Sequence, residues 1–335
     1  FIGAITFSAS VFAFGKLAAK SWAKTLTGSW VKPVQALLFI AMIGFGGIYF
    51  VTDSLPAFYA MAVIAVIFGW MWIAPIGGGD MPVVVSLLNS FSGWAAAGIG
   101  FTLGNSMLII AGSLVGSSGA ILSYIMCKAM NRSLLNVLFG GMGTSAVAAG
   151  DDAGAPKNYK AGSAEDAGFL MANASSVVIV PGYGMAQGRA QNAVKELYEL
   201  LKDEGVNVRF AIHPVAGRMP GHMNVLLAEA DVPYDDILEM DEINSDFAST
   251  DVVLVIGAND VVNPSAKDDP TSPIFGMPIL EVTKAQTVMV IKRSMSTGYA
   301  GLDNSLFYMD KTMMIFGDAK KMVEEMVRSI NGGGH

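Results

Sequence analysis

The chain has 335 residues, a mean hydropathy of +0.49, and 53% hydrophobic against 15% charged residues. A soluble protein of this length rarely has such a composition, so part of the chain is expected to face lipid. Residues 1–150 contain six lysine and arginine residues against two aspartates, a charge of +4, and the remainder therefore carries −11 of the total −7. This acidic second part excludes nucleic acid as a partner, because nucleic acid would require a basic face.

The N-terminal residues and the single cysteine restrict the class of protein further. Cys127 has no second cysteine to pair with, so an intramolecular disulfide is excluded. Phe1 opens inside an apolar run that lacks the basic first segment of a signal peptide. We therefore expect a fragment or a cleaved product of a longer membrane protein.

The first part of the chain predicts a transmembrane domain over residues 1–139, with about five helices and a truncated start. Apolar stretches fall near 1–15, 34–51, 57–76, 82–103 and 105–127, and a membrane span needs about 17–25 apolar residues. Four lysines between residues 16 and 32 predict that this loop lies on the cytoplasmic or matrix side. Alternation of the five segments then returns Lys128, Arg132 and the soluble part to that same side.

Two polar residues, Asp80 and Asn89, lie at or within the fourth apolar stretch. Polar side chains in a span are costly unless they meet a partner or water. Each therefore predicts either an ion or proton path or an interhelical hydrogen bond, and the sequence leaves both open. The many glycine, alanine and serine residues of the last two stretches predict close helix packing.

Residues 140–175 are rich in glycine, alanine, serine and aspartate and show no apolar period, which predicts a flexible linker. Residues 176–335 then predict an α/β domain with a Rossmann-like, doubly wound parallel sheet, because apolar β-rich runs alternate with amphipathic runs. The predicted strands are 177–180, 206–212, 252–256, 288–291 and 313–316, and the predicted helices are 186–203, 222–230 and 318–330.

The run VVIVPGYGMAQG at 177–188 is typical of the turn that opens a nucleotide-binding βαβ unit. Gly182 allows a tight turn, Gly184 lets the backbone approach a pyrophosphate, and the following helix N-terminus would face the anion. The third position of this fingerprint is Gln187, with Gly188 after it, rather than glycine or alanine.

The nucleotide preference is predicted from two other strand ends. The carboxylate that binds the ribose 2′-hydroxyl of NAD usually follows the second strand, but this chain has His213 and Arg218 there. Lys292, Arg293 and Ser294 follow the strand VMVI, and two cations with a hydroxyl suit a 2′-phosphate. The alternative for this trio is a solvated surface pair.

Other polar residues gather after the predicted strands, where ligands bind in such sheets. Asn259 and Asp260 follow VLVIGA, whose glycine is Gly257, and they either contact a nucleotide or cap the turn. His213 and His222 have no Cys, Asp or Glu at metal-ligand spacing, so no metal site is predicted and both are expected to order their loop.

Many separated motifs together resemble one family, the proton-translocating nicotinamide nucleotide transhydrogenases. They include GYGMA, HPVAGRMPGHMNVLLAEA, EMDEIN, GANDVVNP, KRSMSTGYAG and FGDAK, with MPVVVSLLNSFSGWAAAG and GSSGAILSYIMCKAMNRS in the membrane part. The resemblance covers nearly all 335 residues and corresponds to the C-terminal part or beta subunit. It implies hydride transfer between NAD(H) on a partner domain or subunit and NADP(H) on this chain, coupled to proton translocation in a homodimer.

The resemblance also assigns roles to residues. It implies a pyrophosphate turn, a loop beside the nucleotide, a turn at the nucleotide site, a 2′-phosphate site and a lid, with a proton path in the membrane. The nucleotide residues are, in that order, Gly182, Tyr183, Gly184, Met185 and Ala186; His213, Pro214, Val215, Ala216, Gly217 and Arg218; Gly257, Asn259 and Asp260; Lys292, Arg293 and Ser294; and Tyr299, Ala300 and Gly301. The proton-path residues are Asp80, Asn89, Ser117, Ser118 and Gly119.

No residue is expected to act as a catalytic acid or base, since hydride transfer requires only that two nicotinamide rings be positioned face to face. The location implied is the bacterial cytoplasmic or mitochondrial inner membrane, with the soluble domain on the cytoplasmic or matrix side. The alternative function is a nucleotide-sensing domain that gates a channel or transporter. That alternative predicts a selectivity filter or a repeated pore helix, and the sequence contains neither.

Overall fold

The computed structural model describes residues 1–332 except 19, 21, 27, 78–79, 140–157, 220, 273 and 298–301. The chain divides into two compact units, one formed by the apolar first part and the other by the acidic second part.

The first unit is a helical bundle. Its helices are α1 (Ile2–Leu17), α2 (Val31–Thr52), α3 (Leu55–Ile73), α4 (Met81–Leu103), α5 (Ser106–Ala129) and the short α6 (Leu134–Phe139). Helices α2 to α5 are each long and apolar enough to cross a membrane, and α1 is a shorter apolar helix. The predicted transmembrane bundle is thereby confirmed.

Small residues bring α4 and α5 into backbone contact, as their composition predicted. A Cβ atom added to Gly112 would lie 2.5 Å from the backbone nitrogen of Ala97, so no larger residue fits there. Ser86 Oγ donates to the carbonyl oxygen of Gly119 at 3.1 Å, and Ser123 Oγ donates to that of Val83 at 3.2 Å. Close backbone approach and serine hydrogen bonds together hold helices in lipid, where no hydrophobic force acts between them.

The second unit is an α/β domain, and its described residues form a sheet of seven strands. The strands are β1 (Lys160–Ala161), β2 (Ser176–Pro181), β3 (Asn207–Ile212), β4 (Ile237–Glu239), β5 (Val252–Ile256), β6 (Thr287–Lys292) and β7 (Thr312–Phe316). The helices are α7 (Ala164–Ala172), α8 (Tyr183–Gln187), α9 (Gln191–Asp203), α10 (His222–Glu229), α11 (Met240–Ile243), α12 (Ser265–Asp268) and α13 (Ala319–Gly332).

All strand pairs are parallel, and the order across the sheet is β1-β7-β6-β5-β2-β3-β4. Counted from β2, the last six strands have the order 3-2-1-4-5-6 of a dinucleotide-binding fold. The central strands are buried on both faces, with alternate side chains entering two separate apolar cores. The predicted Rossmann-like sheet is confirmed, and its direction of winding changes between β2 and β5.

Part of the segment predicted as linker has regular structure. Strand β1 pairs with β7 at the sheet edge, and α7 begins at a capping box formed by Ser163 and Asp166. Ala167 and Met171 of α7 are fully buried in the core of the domain. The helix was not predicted because the segment is rich in glycine and alanine. Alanine occurs in linkers but is also the best helix former, so composition alone does not separate the two.

The predicted helix 186–203 is in fact two helices, α8 and α9, with a break at 188–190. Arg189 has a φ of 50°, which is uncommon for a residue with a side chain. The backbone N–H of Ala190 donates to the carbonyl oxygen of Met185 at 3.0 Å, so α8 closes with Arg189 as the left-handed residue, whereas Gly188 has a right-handed φ of −78°. The short β4 escaped prediction because three residues carry too little pattern.

Candidate functional site

The loops after β2 and β5 meet at the point where the sheet changes its direction of winding. A Cβ atom on Gly184 would lie 2.6 Å from the Cα of Gly257, and one on Gly182 would lie 2.5 Å from the Cα of Ala258. The N–H of Gly184 donates to the carbonyl oxygen of Gly257 at 2.9 Å. The crevice outside the strand ends at such a switch point is where open α/β sheets bind their ligands.

The glycine turn differs in detail from the expected anion site. The N–H groups of Gly182 and Gly184 both donate to the β5 side, to Ile256 and Gly257. The helix that follows, α8, has only five residues. The glycines therefore secure the backbone contact between the two loops, and the position of the turn at the switch point is what suits it to a pyrophosphate.

His213, the first residue after β3, is 1% exposed and has partners on both ring nitrogens. Nδ1 accepts from the N–H of Val215 at 3.2 Å, so Nε2 carries the proton and donates to the carbonyl oxygen of Pro278 at 2.8 Å. Burial lowers the pKa of His213 to about 4, so the ring is neutral at physiological pH. Its observed contacts agree with the predicted loop-ordering role.

Arg218 places a positive charge over the glycine turn. Its guanidinium carbon lies 3.9 Å from the centre of the Tyr183 ring, a cation–π contact. The backbone N–H of Arg218 donates to His222 Nδ1 at 3.1 Å, and the His222 ring lies 6.3 Å from that of Tyr183. Burial, and then the charge of Arg218, lower the pKa of His222. The loops after β2 and β3 are therefore in contact beside the switch point, through the Arg218 guanidinium and the rings of Tyr183 and His222.

The loop after β5 presents an amide at the same edge of the sheet. Asn259 Nδ2 is buried and has no hydrogen-bond partner among the described residues. A buried donor without a partner is costly unless a ligand or a water accepts its hydrogen bond. This nitrogen therefore suits an acceptor oxygen of a nucleotide. Asn263 and Asn304, whose roles no sequence motif indicated, are fully buried and connect this loop to residues 303–306 by hydrogen bonds.

Two cations lie at the end of β6 in different surroundings: Lys292 is its last residue and Arg293 follows it. Lys292 is half-buried: its Nζ donates to the carbonyl oxygen of Ser296 at 2.7 Å and lies 4.5 Å from the centre of the Phe307 ring. Burial lowers the pKa of Lys292, while Asp260 and Asp303 act in the opposite direction. Arg293 is exposed and lies 3.8 Å from the carboxylate of Asp318. The surface-pair alternative thus fits Arg293 better than Lys292.

The remaining predicted nucleotide residues are placed as follows. Ser294 Oγ lies 2.9 Å from Ser296 Oγ, on the exposed turn after β6. Met185 is fully buried below the glycine turn, and Ala216 is buried in the loop after β3. The predicted lid residues, Tyr299, Ala300 and Gly301, lie outside the described residues.

Within the membrane unit, Asp80 and Asn89 lie in contrasting places. Asp80 precedes α4, is 1% exposed, and accepts two hydrogen bonds from Arg132 Nη1 at 2.7 and 2.8 Å. Asn89 and, on α5, Ser117 and Ser118 are exposed on the surface of the unit, whereas Gly119 is buried against α4. The structure therefore gives Asp80 a partner 52 positions away along the chain.

A bundle of membrane-spanning helices followed by a dinucleotide-type parallel sheet defines a class, the membrane proteins that carry a nucleotide-binding domain. Residues 1–329 match the family of the NAD(P) transhydrogenase beta subunit, and the chain belongs to that family. It is 61% identical over 331 residues to the NAD(P) transhydrogenase subunit beta of Rhodospirillum rubrum, covering 98% of this chain and 71% of the relative. The NAD(P) transhydrogenase subunit beta of a particular strain of that species has the same identity and the same coverage.

Family membership confirms the resemblance drawn from the motifs. The chain is part of a proton-translocating NAD(P) transhydrogenase, a membrane enzyme that uses nicotinamide nucleotides and is built from more than one subunit.

Proposed function

We propose that this chain binds NADP(H) across the switch point, with NAD(H) bound to a partner subunit or domain, and that hydride transfer between them is coupled to proton movement through the membrane unit. The observation that carries the proposal is that three groups lie at or after the carboxyl ends of parallel strands of one sheet: Arg218 after β3, Asn259 after β5 and Lys292 at the end of β6. Two of the groups are cations, and Asn259 Nδ2 has no hydrogen-bond partner among the described residues. A dinucleotide offers anionic and acceptor groups that match this set.

The sheet order also supports a direction for the nucleotide. Lys292 ends β6 and Arg293 follows it, and β6 is the second strand from the switch point on the side opposite to β3. In ordinary NAD enzymes the adenosine ribose lies at the strand equivalent to β3, but here that strand is followed by the inward-facing His213. The 2′-phosphate end of NADP(H) therefore points towards β6, and the nicotinamide end points towards β3 and Arg218.

NADP(H), when bound, supplies the hydride donor or acceptor, and the residues of this chain position it. His213 is neutral and engaged at both nitrogens, so it suits a fixed loop rather than proton transfer. Arg218 and Lys292 would hold phosphate groups, and Asn259 would hold an acceptor oxygen of the nucleotide. Rate acceleration then comes from bringing the two rings together, which positioning alone can supply.

The double substitution Lys292→Ala and Arg293→Ala is expected to remove most of the preference for NADP⁺ over NAD⁺. One charge-assisted contact contributes about 1.5–3 kcal/mol, so loss of even one weakens NADP⁺ binding by about 10- to 150-fold. Affinity for NAD⁺ should stay unchanged, because NAD⁺ lacks the 2′-phosphate. Calorimetric titration of the chain in detergent measures both affinities.

A matched control removes the same two charges elsewhere. Lys195 and Lys321 lie on α9 and α13, and within the described part of the chain each forms an i,i+4 ion pair with a glutamate. Their replacement by alanine should leave both affinities intact. Equal NADP⁺ affinity of the Lys292/Arg293 variant and the parent chain would contradict the proposed 2′-phosphate site.

For the proton path, we propose that Asp80 and Asn89 act together with Ser117, Ser118 and Gly119. Asn89 is exposed on α4 and has no hydrogen bond to the described part of the chain, so the alternative of an interhelical bond within this bundle lacks a partner. The two residues are nine positions apart, about 13 Å along a helix. An exposed amide within a membrane-spanning helix is costly in lipid, which favours contact with water or a further polar group.

Asn89→Leu in the complete enzyme is expected to impair proton pumping while leaving NADP⁺ affinity unchanged. The apolar side chain cannot order water or donate a hydrogen bond. Thr102→Leu on the same helix is the control, since Thr102 is exposed and its hydroxyl donates within its own helix, to the carbonyl oxygen of Gly98 at 3.2 Å. Proton uptake into vesicles during transhydrogenation is the measurement, and parental rate and stoichiometry in Asn89→Leu would return Asn89 to a structural role.

Sidedness and assembly complete the proposal. The lysines between residues 16 and 32, with Lys128 and Arg132, support a soluble domain on the cytoplasmic or matrix side. The family resemblance supports a homodimer in the bacterial cytoplasmic or mitochondrial inner membrane.

A further inference from the structure

We propose that Asn304 is a positioning residue that sets the orientation of the Asn259 amide, so that Asn259 offers a hydrogen-bond donor to the bound nucleotide. The inference rests on the proposed NADP(H) site and adds to it a residue in a different loop. Asn304 is 1% exposed and precedes a short 3-10 turn at Ser305–Tyr308, whereas Asn259 follows β5.

Backbone groups fix which end of the Asn304 amide faces Asn259. The N–H of Leu306 donates to one end at 3.0 Å, and because an N–H can only donate, that end is Oδ1. The other end is therefore Nδ2, and it donates at 3.1 Å to the backbone carbonyl oxygen of Asn259, which can only accept. Two groups of unambiguous polarity thus agree on one orientation of Asn304.

The orientation of Asn259 follows from that of Asn304. Asn304 Nδ2 also lies 3.1 Å from the side chain of Asn259, and a donor there requires Oδ1 to face it. Asn259 Nδ2 must then point away from Asn304, and it is the buried amide nitrogen without a partner among the described residues. Through this series of hydrogen bonds, the backbone N–H of Leu306 in one loop fixes the orientation of Asn304. Asn304 in turn fixes the direction in which Asn259 Nδ2 can donate from the other loop.

The role predicts a nucleotide with an acceptor oxygen beside Asn259 and predicts that Asn304 acts only through Asn259. Asn259→Ala should weaken NADP⁺ binding by about 3- to 10-fold, the size of one neutral hydrogen bond. Asn304→Leu, which is close in size and uncharged, leaves the Asn259 amide free to rotate and should weaken binding by a similar factor. In the Asn259→Ala background, Asn304→Leu should have no further effect on affinity.

Asn263→Leu is the matched control for damage to the loops. Asn263 is as buried as Asn304 and likewise joins the two loops, donating to the carbonyl oxygen of Asp303 at 3.0 Å and accepting from the N–H of Ser265 at 3.1 Å. Its replacement should lower stability comparably yet keep NADP⁺ affinity within about 2-fold of the parent.

The test is calorimetric titration of NADP⁺ into the whole chain in detergent for the parent, the three single variants and the Asn259/Asn304 double variant. Additive losses in the double variant, or an equal loss in Asn263→Leu, would overturn the inference, because both would indicate general loop damage. If Asn304→Leu does not fold, the Asn259→Ala variant decides the question. An NADP⁺ affinity of that variant equal to the affinity of the parent chain would refute the inference. A parent chain that binds no NADP⁺ would instead refute the proposed function itself.

Discussion

Replacing Gly257 by alanine is expected to abolish nucleotide binding and to lower the free energy of unfolding of the α/β unit by about 2–4 kcal/mol. The added Cβ would overlap the Cα of Gly184, which is backbone and cannot move aside as a flexible side chain could. The φ of Gly257 is 65°, a value that also strains alanine. The loops after β2 and β5 would have to separate, and with them the crevice that holds the pyrophosphate in our proposal.

Gly205 supplies the control for backbone strain alone. It has a φ of 86° and open space where a Cβ would go, in the turn between α9 and β3. Gly205→Ala should therefore cost only about 1 kcal/mol and leave NADP⁺ affinity unchanged. Urea unfolding followed by circular dichroism, with titration of NADP⁺, measures both quantities. Equal behaviour of the two variants would show that the loop contact does not organise the site.

Arg132→Ala is expected to destabilise the membrane unit by about 3–5 kcal/mol, because it leaves the carboxylate of Asp80 buried without its partner. Asp80 is 1% exposed and its two oxygens accept from the same Arg132 nitrogen. Breaking an exposed pair costs far less: Glu199→Ala, which removes the i,i+4 partner of Lys195 on α9, should cost about 0.5 kcal/mol or less.

The double substitution Asp80→Leu and Arg132→Met separates the cost of a broken pair from the value of the pair. Replacing both charges by apolar groups of similar volume is often neutral, so the double variant should recover most of the stability lost by Arg132→Ala alone. Thermal unfolding in detergent is the measurement. A double variant as unstable as the single one would contradict the argument that an uncompensated buried charge causes the loss.

The sequence by itself determined the class of the protein and the approximate position of most elements. Membrane helices were predictable because lipid requires a continuous apolar run of sufficient length, and α2 to α5 each provide one. Strands β2, β5 and β6 were predictable because a parallel sheet buried on both faces needs short runs of β-branched and apolar residues. The glycine turn was predictable because only glycine allows backbone approach at that point.

The tertiary structure alone decided which polar groups meet. Arg132 pairs with Asp80 across 52 positions, Asn304 with Asn259 across 45, and His213 with Pro278 across 65. No local pattern records such pairs, because their geometry depends on how distant segments pack. Helix α7 is a further case, since its burial against the core outweighs a composition that suits a linker. Local propensity acts over a few residues, whereas burial and hydrogen bonding act between loops that only the folded sheet brings together.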